Sequence, residues 1–390
     1  MARAEAASKE RRRFLIVASS GGGGDLQPLL ALAKGLRARG HDVAAFGDDE
    51  VQRTMRRLGV DTTLASAEHD LAVQYAAVAR EESDLSPVEQ AASLRDRLST
   101  NWAPRLKPLI EAAAKAHRSE ILVASLFSAG PVRLTAESAG LRWAAVNSTF
   151  YVGPDPPRPP EEDFGSRAPL FAGYFAPNMH QADRVMHASD RAFDFDFSGL
   201  PKHHCYVGPL LDDAPGNYPP WIDEPGDPWA LITVSSLKQD DIVIARAALA
   251  GLSTLPLRVL ITAGPHAGQA LGPLPQNARI EQFVPHGPVL AKARLMVSHA
   301  GHGSVMRALW HGVPMVLVPW ARDQGGVAAR AAHLGVAEIV DKPNISSERL
   351  AEAAHVVLND NAMAATVARV SVRLRETDPV ATACKIIEQL

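Results

Sequence analysis

Short apolar runs rich in β-branched residues alternate with segments of helical spacing along most of the chain. That alternation restricts the fold more than any other feature. Phe14 to Ala18 is such a run, and it breaks at a glycine tract. Pro28 to Arg39 then carries Leu29, Leu32, Ala33 and Leu36 at helical spacing and stops at Gly40, and Val43 to Phe46 begins a second strand. A strand–helix–strand start predicts parallel strands covered by helices. Ile121 to Ala124 and Trp143 to Val146 read as later strands of the same sheet. Residues 68 to 118 read as mostly helical, interrupted by an acidic turn from Glu81 to Pro87.

Two proline-rich tracts punctuate the pattern. Gly153 to Pro160 reads as an irregular loop, and Pro209 to Pro228 as a domain boundary. Beyond it the alternation restarts, with strands over Ala230–Val234, Leu257–Ile261, Arg279–Gln282, Leu295–Ser298 and Met315–Val318. The expected fold class is α/β, with two Rossmann-like domains facing across a cleft. Residues 1–208 form the first domain, 209–228 the linker, 229–375 the second domain, and 376–390 a helix that can pack back on the first. Ligands of such sheets sit beyond the carboxyl ends of the strands.

Composition narrows the function. At 390 residues, with 46% hydrophobic and 21% charged, the chain has material for two cores. A net charge of −3 gives no reason to expect nucleic acid as a partner. Cys205 and Cys384 stand far apart, so neither a disulfide scaffold nor a cysteine metal site is expected. Residues 1–13 lack the apolar core of a signal peptide, and no run is long enough to span a membrane. A cytoplasmic protein is expected.

The tract from Ser19 to Pro28 follows the first strand and opens the first helix. A dinucleotide fingerprint needs G-x-G-x-x-G; counted from Gly22 the third glycine is replaced by Gln27, and counted from Gly21 by Leu26. A nicotinamide site is therefore not expected, although Asp48 stands where a ribose-binding acid would. Asp25 has two readings: a cap for the helix, or a carboxylate facing the cleft that accepts a proton. The stretch from Val297 to Ser304 is more informative. A strand ends, Gly301 and Gly303 turn the chain, and a helix begins with Ser304 in its first turn. Its free N–H groups make a diphosphate site, with His299 as a further donor, unless the turn is only a capped helix start. After the next strand, Asp323 and Gln324 suit paired hydrogen bonds to sugar hydroxyls. A D-x-D string, Asp194 to Asp196, lies in a polar stretch away from any strand end of the second domain, so no metal is expected.

The block from Gln282 to His286, through the H-x-G-x-G-S segment, to Pro319-x-x-x-Asp323-Gln324 resembles the donor-binding region of family 1 glycosyltransferases, which have the GT-B fold. Gly24 to Pro28 and Arg37 to His41 resemble the family's opening. The resemblance implies that a nucleotide sugar is the co-substrate, with no cofactor, and that a small hydrophobic acceptor binds the first domain. It implies that His299, Gly301, His302, Gly303 and Ser304 meet the diphosphate, and that Asp323 and Gln324 hold the sugar. Phe283 and Val284 would meet the base, and Ser235 and Ser236 a phosphate. The family's general base is a histidine at the place of Asp25; bacterial members acting on antibiotic aglycones and sterol glucosyltransferases resemble this chain in having Asp there. The base's partner aspartate is matched by Ser125, and a ribose-binding Glu by Arg307. Ser125, Phe150 and Trp320 are candidates for the acceptor pocket. Tyr75, Trp102, Tyr151, Phe164, Phe171 and Tyr174 read equally as pocket or core. The reaction implied is transfer with inversion to a hydroxyl, Asp25 acting as base. The alternatives are a non-catalytic nucleotide-sugar-binding or auxiliary protein, a lipid or sterol glycosyltransferase, and an epimerase of the same fold.

Overall fold

The computed structural model describes residues 11–390 except 23, 67–69, 198, 213–217, 236–238, 267–270 and 273. Seven parallel strands build the first sheet: β1 Arg13–Val17, β2 Asp42–Gly47, β3 Asp61–Leu64, β4 Ile121–Ser125, β5 Arg142–Asn147, β6 Arg184–His187 and β7 His204–Tyr206. Their order is β3-β2-β1-β4-β5-β6-β7. Six parallel strands build the second: β8 Trp229–Thr233, β9 Arg258–Thr262, β10 Ala278–Glu281, β11 Ala293–Ser298, β12 Met315–Leu317 and β13 Ala337–Ile339, in the order β10-β9-β8-β11-β12-β13.

Each sheet is buried on both faces, which is why its central strands read as continuous apolar runs. Phe14 and Ile16 join one core cluster while Leu15 and Val17 join the opposite one. Ala230 and Ile232 likewise part from Trp229 and Leu231. In each sheet the order reverses beside the first strand. The switch points lie between β1 and β4 and between β8 and β11, where a crevice opens at the carboxyl edge.

The two carboxyl edges face each other. Thr149, just past β5, donates to Asp323, just past β12, at 2.7 Å. Ser189, just past β6, lies 3.2 Å from His302, just past β11. Arg330 is wholly buried and bridges the halves, bonding Asp163 at 2.9 Å and Asp194 at 2.8 Å. The helix Pro379–Ile387 returns to the first half. It packs on the helix Leu26–Ala38 at Gly35, where an added Cβ would meet Val380 at 2.5 Å. Glu388 accepts from Arg39 and lies 2.8 Å from His41.

The sequence pattern misses β3, β6, β7 and β13. Asp61–Leu64 is a largely exposed edge strand. The other three have three or four residues each, too few to show a period.

Candidate active site

Asp25 immediately precedes the helix Leu26–Ala38 but does not cap it. Its backbone is already helical, with φ −83°, and its side chain accepts no bond from the first turn. The residue is 1% exposed, and neither carboxylate oxygen has a hydrogen-bond partner among the described residues. Burial pushes its pKa from 3.8 up to about 7, the nearby Ser125 hydroxyl pulls it down, and the Asp48 charge adds to the rise. Ser125 ends β4, on the other side of the switch point from Asp25, and lies close to the carboxyl without completing a hydrogen bond. Its hydroxyl is held in a box with Ser128, at 3.2 Å. Asp48 is a structural residue here. It caps the helix Asp49–Arg57 and accepts from Ser20 N at 2.6 Å, which ties down the start of the glycine tract.

Across the cleft, β11 runs into a tight turn. Ala300 takes a left-handed φ of 65°, and Gly301 precedes the helix His302–His311 with no side chain capping it. As a glycine, Gly301 brings no side chain to the first-turn N–H groups; Ser304 N donates to Gly301 O at 3.0 Å. Gly303 has no heavy atom within 4 Å of where a Cβ would stand. That space makes the end of the helix accessible to an anion. His299 is buried beside the turn, and its Nδ1 has no partner among the described residues. Burial lowers its pKa to about 4, with Asp241 opposing and Arg322 assisting, so the ring is neutral at pH 7. A neutral imidazole can still donate one hydrogen bond to a phosphate.

Beside His299, β8 delivers Ser235, whose N–H donates to the fully buried Asp241 at 2.7 Å. Asp323 is half-buried, and burial raises its pKa against the opposing bond from Thr149. Gln324 is turned inward: its carbonyl oxygen accepts from Trp320 N at 3.0 Å and Ala321 N at 2.9 Å. Its oxygen thus builds the turn, leaving only its amide NH2 for a sugar. Phe283 is 78% exposed, as a ring awaiting a flat partner would be, while the Val284 side chain is buried. Ser236 lies outside the described residues.

Two family profiles match this architecture. The glycosyltransferase family 28 N-terminal domain covers residues 15–135, including Asp25 and Ser125. The erythromycin biosynthesis protein CIII-like C-terminal domain covers residues 246–388, including His299 and Asp323. The chain belongs to the family 1 glycosyltransferases of the GT-B fold. Demethyllactenocin mycarosyltransferase of Streptomyces fradiae is 26% identical over 389 residues, 94% of this chain and 84% of that protein. 4'-Demethylrebeccamycin synthase of Lentzea aerocolonigenes is 29% identical over 222 residues, 56% of this chain; the match spans only 52% of that relative's length. Among solved structures, the calicheamicin glycosyltransferase superposes with a TM-score of 0.74 at 21% identity, over 97% of this chain and 98% of that one. A spinosyn rhamnosyltransferase complexed with thymidine diphosphate gives 0.70 at 20% identity, over 96% and 99%.

Three site expectations need correction in this glycosyltransferase. His302 points its ring at Ser189 and sits edge-on to Phe193. Only its main-chain N–H remains for a phosphate. Phe150 is fully buried beneath Arg330, whose guanidinium lies 3.7 Å from the ring centre, so it sits in the core between the halves. Trp320 donates its indole N–H to Gln239 O at 2.6 Å and lies under Lys342, so it belongs to the second half. Tyr151, Phe164, Phe171 and Tyr174 are buried core residues too, while Trp102, also buried, lines a small cavity with Ser19 and Asp48 beyond β1. Asp194, the first acid of the D-x-D string, is engaged by Arg330, by Tyr206 at 2.6 Å and by Tyr151 N. Thr149, Gln239, Asp241 and Arg322 are parts of the site that sequence reading did not pick out. Arg322 lay inside a quoted motif, but nothing in the string shows where its side chain turns.

Proposed function

We propose that this glycosyltransferase moves a sugar from a UDP- or TDP-sugar to a hydroxyl of a small hydrophobic acceptor, with inversion, without a metal, and with Asp25 as general base. The observation that carries this reading is the buried, unpartnered Asp25 carboxyl at the switch point of the first sheet. A carboxylate with a pKa of about 7 is matched to accepting a proton near neutrality, which an ordinary Asp is not. The relatives support the substrate class. A mycarosyltransferase and a spinosyn rhamnosyltransferase act on natural products by name, and the latter is solved with thymidine diphosphate.

In the proposed step the acceptor oxygen attacks the anomeric carbon as the bond to the diphosphate oxygen breaks. The acceptor proton passes to Asp25, and the departing electron pair stays on the diphosphate. The open end of the helix His302–His311 and the His299 ring meet that growing charge with fixed dipoles, which need no reorganisation during the reaction. Asp323 and the Gln324 amide orient the sugar. Cys205 and Cys384 are not joined in a disulfide, in keeping with the proposed cytoplasmic setting. Among the described residues no helix is long and apolar enough to cross a membrane.

Asp25→Asn tests the reading. Transfer to an added acceptor should fall by about 10²–10⁴ in kcat, while affinity for the nucleoside diphosphate stays within twofold. Transfer at the normal rate by that variant would sink the assignment of Asp25.

A further inference from the structure

Arg322 sits in the turn between β12 and the helix Gln324–His333 with a left-handed φ of 59°. A non-glycine residue rarely adopts this conformation unless its surroundings enforce it. Here they do. Gln324 holds the main chain of Trp320 and Ala321, and the Trp320 indole is anchored on Gln239 O. The pinned turn sends the Arg322 side chain towards the end of β8. There its guanidinium donates to Ser235 Oγ at 3.3 Å and to Gln239 Oε1 at 2.9 Å. Gln239 is oriented in turn: its amide donates to Asp241 at 3.0 Å, which leaves its carbonyl facing the guanidinium. Asp241 also holds the Ser235 N–H. A fully buried carboxylate therefore aligns both groups that receive Arg322.

The position places one permanent cation among the groups that serve the donor. Arg322 bonds the hydroxyl expected to touch a phosphate and precedes the carboxylate expected to hold the sugar. Its charge is also felt at His299, at Asp323 and at Tyr75 of the first half. The two donor-site groups described above bring only dipoles to the leaving group, because His299 is neutral near pH 7 and the helix end carries only a partial charge. A guanidinium keeps its proton at any working pH and matches phosphate oxygens with two parallel donors.

We propose that Arg322 is a catalytic residue that binds the donor diphosphate and stabilises the charge left on it when the bond to the anomeric carbon breaks. Resting on the function proposed above, this adds a full positive charge for the reaction's leaving group to meet. The acceptor proton goes to Asp25.

The test compares Arg322→Ala, Arg322→Lys and Arg322→Gln with the unmodified protein. Titration calorimetry measures binding of uridine and thymidine diphosphates and of the matching monophosphates, alongside kcat and Tm. The expected result is a loss of tenfold or more in diphosphate affinity for Arg322→Ala, with monophosphate affinity within about threefold. A fall in kcat of about 10²–10³ should accompany it, the range seen when one leaving-charge donor is removed. Arg322→Lys should recover part of both losses; Arg322→Gln, which keeps a donor for Ser235 without charge, should not. Equal rescue by Gln and Lys, or equal loss of mono- and diphosphate binding with a lowered Tm, would overturn the proposal by making Arg322 a structural strut. If the unmodified protein binds neither diphosphate, the proposed function fails, and this assignment with it.

Discussion

The proposed mechanism concentrates the chemistry in the carboxyl group of Asp25, and the burial of that group sets two measurable signs. The base must be ionised to act, so kcat/KM should rise with pH and level off above about 7. A profile flat from pH 5 to 8 would show that another group takes the proton. The stability effect runs the other way. The pKa is raised on folding, so the fold is favoured at low pH and loses that advantage as pH rises from 3.8 towards about 7. Each tenfold change in proton affinity corresponds to about 1.4 kcal/mol. Asp25→Asn should therefore raise Tm relative to the unmodified protein at pH 8, with the difference shrinking as pH falls and vanishing only near 3.8; an unchanged or lowered Tm at pH 8 contradicts the burial argument. At this scale the sequence was legible where a side chain sits at a strand end. His299 directly follows β11, and Asp25 and Asp323 lie in the turns that lead from β1 and β12 into the next helices, so the strand pattern alone places them near the carboxyl edges. His302, Phe150 and Trp320 were misread because their directions depend on partners from distant segments, Ser189, Arg330 and Gln239.

In the proposed mechanism donor binding depends on the helix His302–His311, and the start of that helix offers a test in which fold and function part. An added carboxylate near a helix N-terminus favours the helix dipole by roughly 0.3–1 kcal/mol but repels a diphosphate. There is open space at Gly303. Gly303→Asp should leave Tm unchanged or higher while lowering diphosphate affinity at least tenfold; binding undiminished in that variant would place the phosphates elsewhere. Gly301 behaves differently, since a Cβ there would meet His299 Nε2 at 2.6 Å. The central strands and this helix were readable because both sheets are covered on two faces, and their strands are therefore apolar throughout. The exposed edge strand β3 and the three-residue strands β7 and β13 owe their pairing to neighbours, and no local pattern records that.

The whole molecule is held in its facing arrangement by contacts that bridge the halves. Arg330 is the largest of the fully buried side chains, and it neutralises Asp163 and Asp194 from the first half. Removing one partner of a buried ion pair leaves an uncompensated charge and costs about 3–5 kcal/mol. Arg330→Met should lower unfolding free energy by about that amount in urea; a loss under 1 kcal/mol would show that the bridge does not hold the halves. Two parallel sheets were legible from alternation alone. Which segments of the first half touch the second was not, because Asp163, Thr149, Ser189 and Asp194 lie in irregular stretches without a period. The most direct measurement is a crystal structure with thymidine or uridine diphosphate bound. The diphosphate should lie on the N–H groups that open the helix His302–His311, between Ser235 and His299, with Asp25 facing it from the first sheet. A nucleotide bound elsewhere, with that helix end closed by protein, would contradict the assignment.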